Sequence, residues 1–180
     1  GYSSSPIARF SQDSQYILVG LELEGVDRGA EGDNFASYYT EDGKNVYNIC
    51  LDGFVRGIEI HPDGKQVIVS LAGDDNRAIR FLSIATGRER ATLSYIAFED
   101  EPRYPCSESV SLHPMGGYLV SAHNCGVLRL WDLMRKALLR TWYSNANDLW
   151  INKVKFCKSG DYIFASLRSF PYREMSNQLA

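Results

Sequence analysis

Apolar and polar residues alternate with a period of two over short runs, and the runs recur along the chain. In Gly57-Ile58-Glu59-Ile60 every second side chain is aliphatic, a polar turn His61-Pro62-Asp63-Gly64 follows, and Lys65-Gln66-Val67-Ile68 resumes the apolar character. A period of two places alternate side chains on opposite faces of a strand, and Pro, Asp, Ser and Gly between two such runs predict a tight antiparallel turn. The same arrangement appears in Ile7–Leu18, Ser109–Val120 and Lys153–Phe164. The matched positions Phe10, Ile60, Leu112 and Phe156 are 50, 52 and 44 residues apart. Self-similarity at such a period predicts a stack of equivalent small units.

A second half follows three of the four runs. Ile79-Arg80-Phe81-Leu82-Ser83, the turn around Thr86-Gly87-Arg88 and a short strand ending near Leu93 match Leu128-Arg129-Leu130-Trp131-Asp132, the turn at Met134–Lys136 and a strand ending near Trp142. Asn34–Lys44, with its last strand near Ile49, is a weaker first copy. No stretch has the 3.6-residue period of a long helix, so each repeat reads as four antiparallel strands, in repeats at about 6–50, 54–94, 107–143 and 150–168 followed by a tail.

These residues resemble WD40 repeats, a family of β-propellers. The resemblance rests on His61-Pro62-Asp63-Gly64 in a first turn, Leu130-Trp131-Asp132-Leu133 closing a third strand and Thr86-Gly87-Arg88 in the turn after one, and it covers residues 6–168. It implies an all-β WD40-like propeller segment of four-stranded antiparallel blades, three full and part of a fourth, in a single segment spanning 1–180. Only the third repeat has Trp-Asp; Tyr38-Tyr39 and Leu82-Ser83 stand at that place in the others. No repeat has the Gly-His pair that in this family precedes the first strand. The buried relay that the family builds from that His, an Asp and the Trp is therefore expected to be absent or incomplete, with packing holding the blades. Three and a half blades also fall short of the ~4–8 at which propellers close. Because open sheet faces and edges are costly in water, the segment is expected to belong to a larger propeller or to be completed by another chain.

Composition adds bounds. Of 180 residues, 44% are hydrophobic and 23% charged, as in ordinary globular proteins, and no apolar run approaches the ~18–20 residues that span a bilayer. The N-terminus has neither the basic nor the apolar region of a signal peptide and no initiator Met, so a trimmed or partial chain is expected. Cys50, Cys106, Cys125 and Cys157 are widely spaced, with no C-x-x-C pair, which predicts free thiols in an intracellular compartment, nucleus or cytoplasm, and neither a metal nor a cofactor. The net charge of −3 hides an asymmetry: residues 1–60 carry 4 basic and 10 acidic side chains, residues 121–180 carry 9 basic and 4 acidic. Such a division steers partners locally or simply makes two solvated faces of unlike sign.

Candidate binding residues fall on connections, because loops on a rigid scaffold carry binding. The longest, Glu22–Asp33, has five acids against Arg28 and reads as a site for a basic peptide or as a solvated insertion. In Gly73-Asp74-Asp75-Asn76-Arg77, the carboxylates Asp74 and Asp75 and the cation Arg77 could exchange charged hydrogen bonds with a partner, or the Asx residues could serve the turn itself. His123 and Asn124, in His123-Asn124-Cys125-Gly126, read as a ligand contact or as turn residues. His61 and His113 recur at one repeat position, which favours a turn role over chemistry.

Two linkers mix aromatics with polar groups: Arg103 and Tyr104 near Tyr95 and Phe98, and Trp150 and Asn152 near Trp142 and Tyr143. Tyr, Trp and Arg dominate interface hot spots, and the same aromatics also fill gaps between blades. Lys153, Lys155, Lys158, Arg168 and Arg173, with Phe170 and Tyr172, make the C-terminal part basic, which leaves RNA or DNA as an alternative partner. No G-x-S-x-G, H-E-x-x-H or G-x-G-x-x-G occurs. The expected function is a non-catalytic scaffold or adaptor in an intracellular multiprotein complex, binding peptides or protein surfaces through loops; a propeller enzyme is the least favoured reading.

Overall fold

The computed structural model describes residues 6–20, 34–72, 79–93, 107–123, 126–144 and 149–169. Its elements are β1 (Ile7–Phe10), β2 (Tyr16–Gly20), β3 (Phe35–Tyr39), β4 (Asn45–Ile49), β5 (Phe54–Ile60), β6 (Gln66–Ala72), β7 (Ile79–Ser83), β8 (Glu89–Leu93), β9 (Ser107–Leu112), β10 (Tyr118–His123), β11 (Val127–Asp132), β12 (Ala137–Tyr143), β13 (Leu149–Phe156) and β14 (Ile163–Ser169). Among the described residues there is no helix. The strands form three four-stranded meanders, β1–β4, β5–β8 and β9–β12, and a two-stranded sheet, β13–β14. All pairs are antiparallel, and the last strand of each full sheet is offset by a bulge at one equivalent place, Ser37/Tyr38, Phe81/Leu82 and Leu130/Trp131.

The two-residue period explains how the sheets stack. On β6, Val67, Val69 and Leu71 enter the core shared with the first sheet, while Ile68 enters the core shared with the third. A sheet covered on both faces needs apolar residues at consecutive positions, and Val67 to Ala72 are all buried. On β10, Leu119 faces the second sheet, and Val120 and Ala122 face the fourth. Each fully buried aliphatic side chain contributes on the order of 1.5–3 kcal/mol relative to exposure.

The first strands of the sheets lie side by side: β1 against β5, β5 against β9, and β9 against β13. These are the strands nearest a common axis, the arrangement of propeller blades. The polar turns after them line up as well. Pro62 and the His61 ring approach Gly116 of the next sheet, and the His113 ring is wedged against Gly160 of the one after. Gly116 and Gly160 have φ of +75° and +87°, a region favourable to glycine that also leaves room for the neighbouring ring. Tight turns thus interlock at one end of the stack. The strand ends flanking residues 21–33, 73–78 and 124–125 lie at the other.

The third sheet has the buried relay in incomplete form, as the missing Gly-His pair leads one to expect, and a serine joins its Trp to a histidine. Trp131 Nε1–H donates to Ser121 Oγ at 2.9 Å, and Ser121 Oγ lies 2.9 Å from His123 Nε2. All three side chains are buried, His123 at 0% exposure. With the indole donating to its oxygen, the Ser121 hydroxyl is free to donate to a neutral imidazole. The histidine comes from the end of β10 in the same sheet, not from a Gly-His pair ahead of the first strand. Asp132 takes no part: it accepts from Arg135 N–H at 2.9 Å and Arg135 Nη1 at 2.8 Å, closing the turn into β12.

Candidate interaction surfaces

His123 is the candidate residue whose reading changes most. As the last residue of β10 it accepts the Gly126 N–H at 3.1 Å with its carbonyl, closing the turn, while its side chain is fully buried and is not offered to a ligand at the surface. Burial holds its imidazole well below the ordinary histidine range, with the nearby Arg129 guanidinium adding to the effect. Arg129 is itself fully buried, opposite Ser121 in the β10–β11 register. Trp150 and Asn152 are both on β13. Trp150 is half-exposed and faces Arg168 of β14, and Asn152 is the extra, exposed residue where the register shifts between Ile151 and Lys153. Asp74, Asp75, Arg77, Arg103, Tyr104 and Asn124 lie outside the described residues, as do the 22–33 loop, Phe170, Tyr172 and Arg173.

Three surfaces are built by the described residues. The first is a cleft of about 650 Å³ at the turn end of the seam between the first two sheets. Asp13, Tyr16, Asp63, Lys65, Ile84 and Arg90 are among its walls. Asp13 is held below the usual carboxylate range by the Ser11 hydroxyl and the Gln15 N–H. At Asp63 burial pushes upward, and hydrogen bonds from Lys65 and Gln66 outweigh it, so both carboxylates are ionised at neutral pH. Two anions and two cations around a partly apolar floor suit a polar peptide segment better than a purely anionic ligand.

The second surface is the axis. Lys155 Nζ of β13 reaches Glu59 Oε1 of β5 at 3.6 Å, and Arg9 of β1 adds a further favourable charge to Glu59. These three residues occupy one repeat position on three first strands. Burial raises the Glu59 carboxyl against the pull of Lys155 and Arg9. One repeat position away, Arg56 and Glu108 approach to 3.9 Å.

The third surface is formed by the sheets at the C-terminal side. Val154 and Phe156 pack toward the third sheet, while Lys153 and Lys155 point the other way with Trp150 and, across the register, Phe164 and Arg168. Phe164 is 62% exposed. On the third sheet, Arg140 and Trp142 of β12 stand opposite Leu130 and Leu128, on the face turned toward β13–β14. The Arg140 guanidinium lies 5.7 Å from the centre of the Trp142 ring. Sequence reasoning ended a strand near Trp142 but did not single out Arg140; their pairing could have been read from the i, i+2 spacing on one strand face.

Among the described residues, no group of three or more His, Cys, Asp or Glu side chains could hold a metal ion. No curated protein matches the chain significantly. Residues 107–132, which are β9 to β11 with the Ser121–His123–Trp131 relay inside them, match the family model described as WD domain, G-beta repeat. With that match set in the third of three equivalent four-stranded meanders, stacked by their first strands about one axis, the described strands fit a WD40-like β-propeller segment.

Proposed function

We propose that the segment is a rigid, non-catalytic scaffold that holds partner proteins or peptides within an intracellular multiprotein complex. WD40 repeats support a protein-interaction role in general, and one observation carries the reading here. The turns at one end of the stack are wedged into one another, with the His61 and His113 rings against Gly116 and Gly160. The strand ends at the other end are thereby held at fixed spacing. A partner bound across such a rigid frame costs the scaffold little freedom. Completion of the fourth sheet and of the propeller, by the same chain or by another, belongs to the same reading. Lysine-directed crosslinking of the chain in cell extract tests it: protein crosslinks from Lys153 and Lys155 are expected, and an absence of protein crosslinks from every lysine defeats it.

A second reading has its own observation. Trp150, Lys153, Lys155, Phe164 and Arg168 share the open face of β13–β14, and cations interleaved with aromatics suit single-stranded RNA or DNA. Affinity for mixed-sequence RNA that falls steeply with salt favours it, and salt-independent or absent binding removes it.

A further inference from the structure

We propose that the cleft between the first two sheets docks an extended segment of a partner protein, with a carboxylate side chain at Lys65 and Arg90 and an apolar one over Tyr16 and Ile84. This inference rests on the scaffold reading above and names one docking site within it. Equivalent turns differ here in one respect. In the second and third sheets the residue after the first strand is a histidine, and its ring crosses to the turn glycine of the next sheet. A Cβ on Gly116 would lie 3.4 Å from His61 Nε2 and 3.2 Å from the Pro62 ring, and one on Gly160 would overlap the His113 ring. In the first sheet that residue is Ser11. Its hydroxyl turns back into its own turn, donating to Asp13 Oδ1 at 2.6 Å and accepting from Tyr16 N–H at 2.9 Å. Among the described residues only Gln12 Oε1, at 3.6 Å, comes within 4 Å of a Cβ built on Gly64. No ring crosses the first seam, and the cleft opens there.

Neither wall awaits a further strand. Both sheets have four strands, and the cleft is lined by the β1–β2 turn on one side and by the β5–β6 and β7–β8 turns on the other. The strand ends that flank the undescribed segments, from Gly20 and Ala72 to Leu93 and Tyr143, lie at the opposite end of the stack, as do Ile7 and Ser169. The opening is therefore a property of these two sheets and independent of the fourth.

The charges select the occupant. Asp63 Oδ1 accepts the Lys65 and Gln66 N–H groups at 2.8 and 3.2 Å, and its Oδ2 accepts Gln66 Nε2 at 2.8 Å. Asp13 Oδ1 accepts the Gln15 N–H at 3.0 Å besides the Ser11 hydroxyl. Both acids thus serve their own turns. The Lys65 ammonium and the Arg90 guanidinium are exposed and make no hydrogen bond or ion pair among the described residues. An entering carboxylate finds two cations that nothing else neutralises, and a guanidinium offers it two parallel donors. The two aspartates in the same cleft repel a dianionic phosphate more than a singly charged side chain. On the floor, Ile84 is 2% exposed and Tyr16 half-buried, at the upper end of the core that the two sheets share. An apolar side chain laid there fills the first seam as the imidazoles fill the other two.

Fluorescein-labelled capped peptides, each with one Glu and one Phe in a Ser/Ala background and differing only in the spacing between the two, are the probes, titrated onto the 180-residue chain by anisotropy. Saturable binding by at least one spacing is expected. Lys65→Ala and Arg90→Ala should each weaken it about threefold, as exposed ion pairs do, and Lys65→Glu combined with Arg90→Glu about tenfold or more. The best peptide remade with Lys in place of Glu should bind that double reversal better than it binds the native chain. Lys153→Glu combined with Lys155→Glu, on the fourth sheet, should leave binding unchanged. Circular dichroism melts verify that the variants fold. A photoreactive benzophenone in place of the Phe ring should crosslink to the β1–β2 or β7–β8 turn. Absence of binding at every spacing, binding indifferent to the Lys65 and Arg90 reversal, or crosslinks confined to β13–β14 overturns the proposal. Tighter binding when phosphoserine replaces Glu overturns the choice of a carboxylate. Failure here with protein crosslinks still forming at Lys153 and Lys155 leaves the scaffold reading standing; loss of both sinks the two together.

Discussion

The Ser111 hydroxyl on β9 accepts a hydrogen bond from the Phe156 N–H on β13 at 3.1 Å, side chain to backbone across two blades. Ser109 does the same for Val154 N–H at 3.4 Å. First strands have a partner strand on one side only, so their N–H groups on the axial side must find acceptors elsewhere. The serines supply them, and the small side chains also let the strands approach. Ser111→Ala therefore leaves the buried Phe156 N–H without its acceptor, at a cost of about 1–2 kcal/mol. Ser109→Ala, at the longer and half-buried contact, should cost less. Urea denaturation midpoints for the two variants test the order, and equal, negligible losses would refute the axial role.

Ser121 holds two buried groups at once, Trp131 Nε1 and His123 Nε2. Ser121→Ala removes both contacts at once and is expected to cost about 2–4 kcal/mol, more than either contact alone would suggest. A double-mutant cycle with Trp131→Phe isolates the coupling. After the indole donor is removed, Ser121→Ala should cost clearly less than in the native background. Full additivity in thermal melts would show that the relay contributes nothing as a unit.

Legibility in the sequence tracked how local each interaction is. The strand–turn–strand signal of Gly57–Ile68 needs only neighbours in sequence, and it marks β5, its turn and β6. The alternation of Lys153 and Lys155 with Val154 and Phe156 likewise survives as exposed against buried positions. At His123 the turn formers Asn124 and Gly126 signal the turn that its backbone closes, but not the burial of its side chain, which answers to Ser121 on its own strand and, through it, to Trp131. The Glu59–Lys155 contact joins two blades that are not neighbours: the repeat puts both residues at one position, but only the gathering of the first strands about an axis brings them together. Arg140 and Trp142 share one face of β12 with the Leu128 and Leu130 side chains beside them, and which sheet that face turns toward is a property of stacking and not of β12 itself.

The turn contacts make a sharper demand. A Cβ on Gly160 would overlap the His113 ring, and the residue's φ of +87° disfavours any L side chain. Gly160→Ala should destabilise by about 2–4 kcal/mol, strain and overlap acting together. Gly117, in the preceding turn, has nothing within 4 Å of its Cβ position, so Gly117→Ala is the control and should stay within about 0.5 kcal/mol. At roughly 2–4 °C per kcal/mol for a chain of this size, calorimetry separates the two. In a His113→Ala background, itself short of the ring's packing on Tyr118 and Phe156 and of its bond from the Met115 N–H, Gly160→Ala should cost less than in the native chain, because the ring it would strike is gone.

Acid should weaken the third sheet through His123. Its folded-state imidazole titrates well below 6.5, so the unfolded chain binds the proton more readily. The sign follows directly: the contribution is fully present above the unfolded value and is lost as pH falls below about 6.5, by up to about 1.4 kcal/mol per pH unit. Arg129 sharpens the effect, since a protonated ring would face a buried guanidinium. Glu59 acts in the opposite sense, because its raised carboxyl pKa makes protonation from the ionised state easier in the folded chain as pH falls. Asp132, held low chiefly by the Arg135 N–H, loses its contribution only in stronger acid, below about pH 4. Between pH 7 and pH 5 the denaturation midpoint of the native chain should therefore drop, and that of His123→Gln should drop less. Parallel curves for the two proteins would show that the buried imidazole is not the group being titrated.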